Sequence, residues 1–321
     1  MARTAAPFPW KGLVLAAGLG FLVYVGMGLV ADLRSVRHAL AGFSWWSFAA
    51  ALGLAFGNYV VRFLKWQYYL RLLGIRVPAG RSFLVFLAGL LMSVTPAKVG
   101  EVLRSVLLAE SYGVPVERTA PIVIADRLSD MLALLVLMSA GAASFSRGWA
   151  VWVLGGGMCA AVVVSIQVPA VGRALVSVAR RLPVIRKVGD RLAEAYESLR
   201  TVGSASVLVV PVALSVVGWG AECVAFHIVV HGFRGASLDL YTASFVYALA
   251  TVAGAVAMLP GGLGATEASM AGMLVTLPPG LESGTAAAAT VLIRLATLWF
   301  AVLVGLLALP VHRAVTRSRK P

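Results

Sequence analysis

The decisive stretch is Thr95-Pro96-Ala97-Lys98-Val99-Gly100-Glu101-Val102-Leu103-Arg104, set inside an apolar segment that runs from Phe83 to Ala109. A proline, a glycine and three charged side chains interrupt a helix there. In hydrocarbon, a broken helix leaves backbone groups that cost several kcal/mol each unless protein or water meets them. The break therefore has to line something. A second stretch, Leu259-Pro260-Gly261-Gly262-Leu263-Gly264-Ala265-Thr266-Glu267, repeats the plan of apolar run, proline, glycine, glutamate and apolar run. Two interrupted hydrophobic segments in matching places of two halves point to the binding site of a transporter.

Working outward, the composition agrees with burial in a bilayer. Of 321 residues 60% are hydrophobic and 12% charged, which excludes an ordinary soluble domain. The net charge of +14 is spread between apolar segments without an aromatic-basic motif, so nucleic acid is not the expected partner. Cys159 and Cys223 lie inside apolar runs and imply no disulfide framework. His227 and His231 stand four apart on a helix with no further ligand near them, so no metal or other cofactor is expected. The run from Leu13 to Val30 reads as a retained first span rather than a cleaved leader.

Six segments are long enough to cross: Leu13 to Val30, Trp45 to Leu70, Thr119 to Ala143, Trp149 to Val168, Val207 to Val230 and Thr285 to Leu309. The interrupted segments, about 82–109 and 241–275, either cross once or dip in and return. Loop charge favours return. With both re-entrant, the basic run from Arg173 to Arg200 and the tail from Arg313 to Lys320 share the cytoplasmic side. Only Arg34, Arg37, Arg147 and Arg234 then stay outside. The halves align through Gly57 with Gly220, Pro96 with Pro260 and Arg127 with Arg294. An odd number of crossings between them turns the second copy over, which makes an inverted repeat with a re-entrant loop entering from each side.

The expected fold is thus an all-α polytopic membrane protein, an inverted repeat of about six full spans plus two broken re-entrant helical hairpins. Its expected parts are a first span and outer loop (1–44), a first repeat half (45–170), a basic amphipathic cytoplasmic helix (171–203), an inverted second half (204–310) and a basic cytoplasmic tail (311–321). Both termini are expected in the cytoplasm.

Charges at membrane depth demand a polar interior, since each costs roughly 2.5–3.5 kcal/mol at a helix centre. Arg294 lies about 14 Å into the last span, too deep to reach water easily. Arg127 sits between Asp126 and Asp130 and can pair with Asp130 at i, i+3. The residues after Pro96 and after Gly264 open half-helices whose first N–H groups favour an anion. Gly261, Gly262 and Gly264 allow close backbone approach. Thr95, Lys98, Arg104, Arg127 and Arg294 complete the expected substrate site, with Thr95 also able to bond its own helix backbone. Glu101 and Glu267 either pair with Arg127 and Arg294 or carry a coupling proton, and Glu222 is a further candidate for either role. Arg62 and Lys65 are expected to extend to anionic headgroups at the inner end of their span.

These residues resemble a known family, the flippase-like membrane proteins related to the transmembrane region of lysylphosphatidylglycerol synthetases. The likeness rests on Asn58 with Arg62 and Trp66, Thr95-Pro96 with Gly100-Glu101 and Arg104, Asp126-Arg127 with Asp130, Leu259 to Gly264 with Glu267, and Arg294. It implies an integral protein of a bacterial or archaeal inner membrane that moves an anionic or phosphate-bearing lipid between leaflets, with membrane lipids as its partners. The full synthetases carry an aminoacyl-transferring domain after the membrane part, and that activity is not expected here. No nucleotide-binding motif and no nucleophile with a nearby base is present, so an enzyme is not expected. The other reading is a proton- or sodium-coupled transporter of a small soluble anion. The oligomeric state does not follow from the sequence.

Overall fold

The computed structural model describes residues 18–20, 22–26, 29, 32–95, 101–142, 189–277 and 280–317, with scattered positions from 153 to 174. Among these residues all regular structure is helical, and the protein is a helical bundle of membrane type. Trp45–Leu72 (α2, after the surface helix α1, Leu33–Ala41), Ala205–His231 (named α8 below) and Ser283–Thr316 are long and apolar enough to cross a membrane. The expected spans at Leu13 to Val30 and Trp149 to Val168 lie largely outside the described residues.

The first half continues with α3 (Ala79–Gly89), which tightens into a 3₁₀ turn at Leu90–Val94. Thr95 closes that turn by donating its hydroxyl to the Met92 carbonyl at 2.7 Å. Then come α4 (Leu103–Tyr112), the single turn α5 (Val116–Thr119) and α6 (Pro121–Ala142). Of the expected amphipathic helix, α7 (Gly189–Val202) is described. The second half follows the same order with α8 (Ala205–His231), α9 (Leu240–Val256), a 3₁₀ turn at Pro260–Gly262 and α10 (Ala265–Thr276). It ends in α11 (Ser283–Arg294), a π turn at Leu295–Trp299 and α12 (Phe300–Arg317).

At 1.5 Å per residue the 17 residues of α9 span about 26 Å and the 12 of α10 about 18 Å, short of a core of roughly 30 Å. They pack against each other as a hairpin, as α3 and α4 do in the first half. The two breaks meet. A Cβ on Gly261 would lie 3.5 Å from the Cα of Val94. At its N-terminus α9 is capped by Asp239, which accepts from the backbone of Tyr241 and Thr242 at 3.0 and 2.9 Å. The Thr242 hydroxyl and N–H hold the Asp239 carboxyl below its usual range, so this cap contributes above that range and fades as the pH falls through the lowered value.

The helices α2 and α8 form the largest packed pair and run antiparallel. Ser44 N–H donates to the Gly232 carbonyl at one end, Asn58 lies on Gly218 midway, Lys65 donates to Ser215, and Tyr68 reaches the Val207 carbonyl at the other end. These two helices open the two halves, so their opposed directions make the repeat an inverted one. One apolar core joins α8, α9, α10, α11 and much of α6, and a second joins α2, α3, α4 and α12.

Gly305 of α12 lies so close to the backbone of Leu90 and Leu91 that a Cβ would collide with it, whereas Gly53 of α2 has open space around it. Gly305→Val is therefore expected to cost about 1–3 kcal/mol and lower the thermal unfolding midpoint in detergent, while Gly53→Val leaves that midpoint nearly unchanged.

Candidate functional site

Asn58, Arg62 and Lys65 recur at spacings of four and three, and so share one face of α2. That face meets the charged turn of α6. Lys65 Nζ lies 2.6 Å from Asp126 and 2.7 Å from Asp130, and donates to Ser215 of α8 at 2.7 Å. Arg62 approaches Asp126 at 3.3 Å, Asp130 at 3.5 Å and Glu101 at 3.8 Å. Arg127 lies 2.7 Å from Asp126, 3.1 Å from Glu101 and 3.2 Å from Asp130, the last being the i, i+3 pair read from the sequence. Charges taken out of water need such multiple partners, because a lone buried ion costs several kcal/mol.

The expectation that Arg62 and Lys65 reach the headgroups is overturned. Their side chains are 9% and 1% exposed. The carboxylates facing them across α6 compensate the charge at depth, so no excursion to the interface is needed. Arg104 also departs from expectation. It is buried over the ring of Phe86, 4.3 Å from its centroid, beneath Gly89, with Glu101 3.6 Å away. It does not reach the cavity.

In the second half Arg294 Nε donates to Glu267 at 2.6 Å and its Nη2 to the Gly261 carbonyl at 2.6 Å. Glu267 in turn accepts from the Gly264 N–H at 2.7 Å, at the start of α10. Gly261, Gly262 and Gly264 all have positive φ, a conformation open to glycine, and this lets the chain turn at the break and aim a carbonyl at Arg294. The pairs Arg127 with Glu101 and Arg294 with Glu267 occupy corresponding positions of the two halves. Both glutamates thus pair with the arginines, one of the two alternatives open at the sequence level. The N-terminus of α10 is consequently filled by the protein's own carboxylate, which the helix dipole favours, rather than held open for a ligand.

Between the halves lies a cavity of about 270 Å³. Arg62, Arg127 and Arg294 line it together with Thr95, Asp130, Glu222, Gly261 and Gly262, while Leu134, Leu259 and Leu298 form apolar wall. Asp126, Glu101 and Glu267 stand behind the arginines, and Gly264 does not face the cavity. Lys98 lies outside the described residues. Glu222 accepts hydrogen bonds from Asn58 Nδ2 and the Tyr247 hydroxyl. Sequence reasoning missed Tyr59, Trp219 and Tyr247 as lining residues. Nothing in their local sequence marks them.

Two broken hairpins with matching arginine–glutamate pairs thus meet over one arginine-lined cavity in an inverted bundle. The model described as the lysylphosphatidylglycerol synthase transmembrane region matches residues 13–305. The chain belongs to that family. Membership makes it a membrane-embedded protein of a lipid-related family. Among curated proteins none matches the chain. Within the family match fall both hairpins and every residue of the network described above.

Lys65→Met removes the cation shared by Asp126 and Asp130. It is expected to cost about 3–5 kcal/mol, the penalty for removing one partner from a buried ion-pair network. Arg127→Gln, at a side chain 28% exposed, is expected to cost far less. Denaturant titration of the two variants in detergent, followed by tryptophan fluorescence, compares them.

Proposed function

We propose that this protein is a lipid flippase or scramblase, which moves an anionic phospholipid or a polyprenyl-phosphate-linked sugar across the cell membrane with the headgroup passing through the central cavity. The observation that carries this reading is the state of the cavity arginines. Arg62, Arg127 and Arg294 line the cavity together, and the Arg127 side chain is 28% exposed. A phosphate oxygen is a strong acceptor for such a group, and guanidinium geometry suits it. The apolar wall of Leu134, Leu259 and Leu298 beside these donors suits a molecule with both a charged and an apolar part.

In this reading the membrane is a bacterial or archaeal inner membrane and both termini face the cytoplasm, which the basic loops favour. The chain performs no chemistry on the lipid. Its role is to offer the headgroup a positive path while the chains stay in the bilayer, driven by a gradient or by consumption of the lipid on the far side.

The test is headgroup translocation in proteoliposomes, with a fluorescent phosphatidylglycerol and a polyprenyl-phosphate sugar as probes. Wild type is expected to move one of them faster than protein-free vesicles. Arg127→Gln is expected to slow it roughly tenfold to a hundredfold, the equivalent of one charge-assisted hydrogen bond of about 1.5–3 kcal/mol. The double variant Arg294→Gln with Glu267→Gln, which keeps the buried charge balanced, is expected to slow it as well. Uptake of a soluble anion with neither lipid moved would instead make this a small-anion transporter, coupled to protons or sodium.

A further inference from the structure

Glu222 differs from every other carboxylate around the cavity. Glu101 has Arg127 at 3.1 Å, Asp126 and Asp130 have Lys65 at 2.6 and 2.7 Å, and Glu267 has Arg294 at 2.6 Å. Glu222 is 6% exposed and faces the cavity, yet among the described residues no lysine or arginine lies within ion-pair distance of it. Its hydrogen bonds come from two neutral donors, the Asn58 amide and the Tyr247 hydroxyl.

Among the described residues the charges around the cavity balance without any ligand. Arg62, Lys65, Arg104, Arg127 and Arg294 stand against Glu101, Asp126, Asp130, Glu222 and Glu267. A singly charged anionic headgroup entering this site leaves one negative charge in excess, at a depth where uncompensated charge is expensive. Neutralising one carboxylate restores the balance. Four of the five are tied to cations: Glu101 and Glu267 are the carboxylates that pair with Arg104 and Arg294, and Asp126 and Asp130 share Arg62, Lys65 and Arg127, so protonating any of these breaks ion pairs. Glu222 is the member whose neutralisation breaks none.

Its surroundings fit both charge states. Asn58 donates its amide N–H to the ionised carboxylate, while its Oδ1 has no donor among the described residues. A half-turn of the amide presents that oxygen to a protonated Glu222, so the same pair of residues can hydrogen-bond the acid form. The groups that face Glu222 are Tyr59 and Arg62 from α2, Arg127 and Asp130 from α6, Tyr247 from α9 and Arg294 from α11, with Cys223 beside it on α8. None of α7's described residues lines the cavity. In the first half the corresponding position is Asn58 itself, at the offset that relates Pro96 to Pro260. Thus the arginine–glutamate pairs are duplicated, whereas this carboxylate is present in one half alone.

We infer that Glu222 is a proton-binding site, and that it takes up one proton when a singly charged anionic headgroup enters the cavity. This rests on the headgroup reading above and adds to it a coupled ion. The lipid phosphate arrives as an anion and the proton joins the Glu222 carboxylate, so the loaded site is neutral and the pair crosses together.

The experiment is calorimetric titration of the purified full chain in detergent with dihexanoylphosphatidylglycerol, at a mildly alkaline pH, in two buffers of different ionisation enthalpy. The difference between the buffers measures protons taken up per lipid bound. Wild type is expected to take up close to one proton per lipid, and Glu222→Gln to bind with none. Thermal unfolding of the variant checks that it is folded. The zwitterionic dihexanoylphosphatidylcholine, which adds no net charge, is expected to cause no uptake. Binding without proton uptake, uptake that survives in Glu222→Gln, or equal uptake with the zwitterionic lipid overturns the coupling and leaves the headgroup reading standing. Failure of wild type to bind the anionic lipid overturns the headgroup reading and the coupling with it.

Discussion

Everything in this protein answers one constraint: a charge or an unpaired backbone group held inside hydrocarbon has to be met by another part of the chain. Lys65 is the plainest case. Almost wholly buried, it bonds Asp126 and Asp130 of α6 and Ser215 of α8, so one ammonium ties together three helices from both halves. Its three donors are all used, and its neighbours Arg62 and Arg127 supply the second partner that each aspartate requires. Such a network adds little net stability over a well-packed apolar core. It does define a single arrangement, because any other leaves ions unpaired.

The same constraint explains how two helices can break in the middle of the bundle. At the second break a glycine turn exposes the Gly261 carbonyl and the Gly264 N–H, and Arg294 takes the first while Glu267 takes the second. The arginine and glutamate then neutralise each other. One ion pair therefore satisfies a helix terminus, a loop carbonyl and itself. Because the two breaks lie against each other, the polar groups that they require converge on one place, and the cavity lies there.

Much of this could be read in the sequence, for a physical reason. A proline, several glycines and a glutamate within an apolar run have few uses in a bilayer, and their recurrence in register pointed to the breaks and the repeat, and left Glu101 and Glu267 as candidate partners of Arg127 and Arg294. What could not be read is direction. Depth along a span tells how far Arg62 and Lys65 lie from water, but not that α6 turns its aspartates toward them; that depends on packing. Arg104 failed for the same reason, since only the folded chain shows that Gly89 makes room for its side chain over Phe86. The half-helix N-terminus after Gly264 was expected to favour a ligand's negative charge, and the charge that meets it is the neighbouring Glu267's own. Tyr59, Trp219 and Tyr247 are aromatic residues in apolar helices, indistinguishable in sequence from those that face lipid.

The π turn at Leu295–Trp299 bears on how alike the two halves still are. It begins directly after Arg294, and Tyr59 donates to the carbonyl of Thr297 within it at 2.8 Å. A turn closed by i→i+5 bonds holds an extra residue compared with an α turn. The corresponding stretch of α6 beyond Arg127 is ordinary α-helix. The halves thus keep step as far as their arginines and then fall a residue out of phase, with the surplus residue absorbed by a bulge. The packing plan survives the bulge, since α12 lies against α3 as α6 lies against α9.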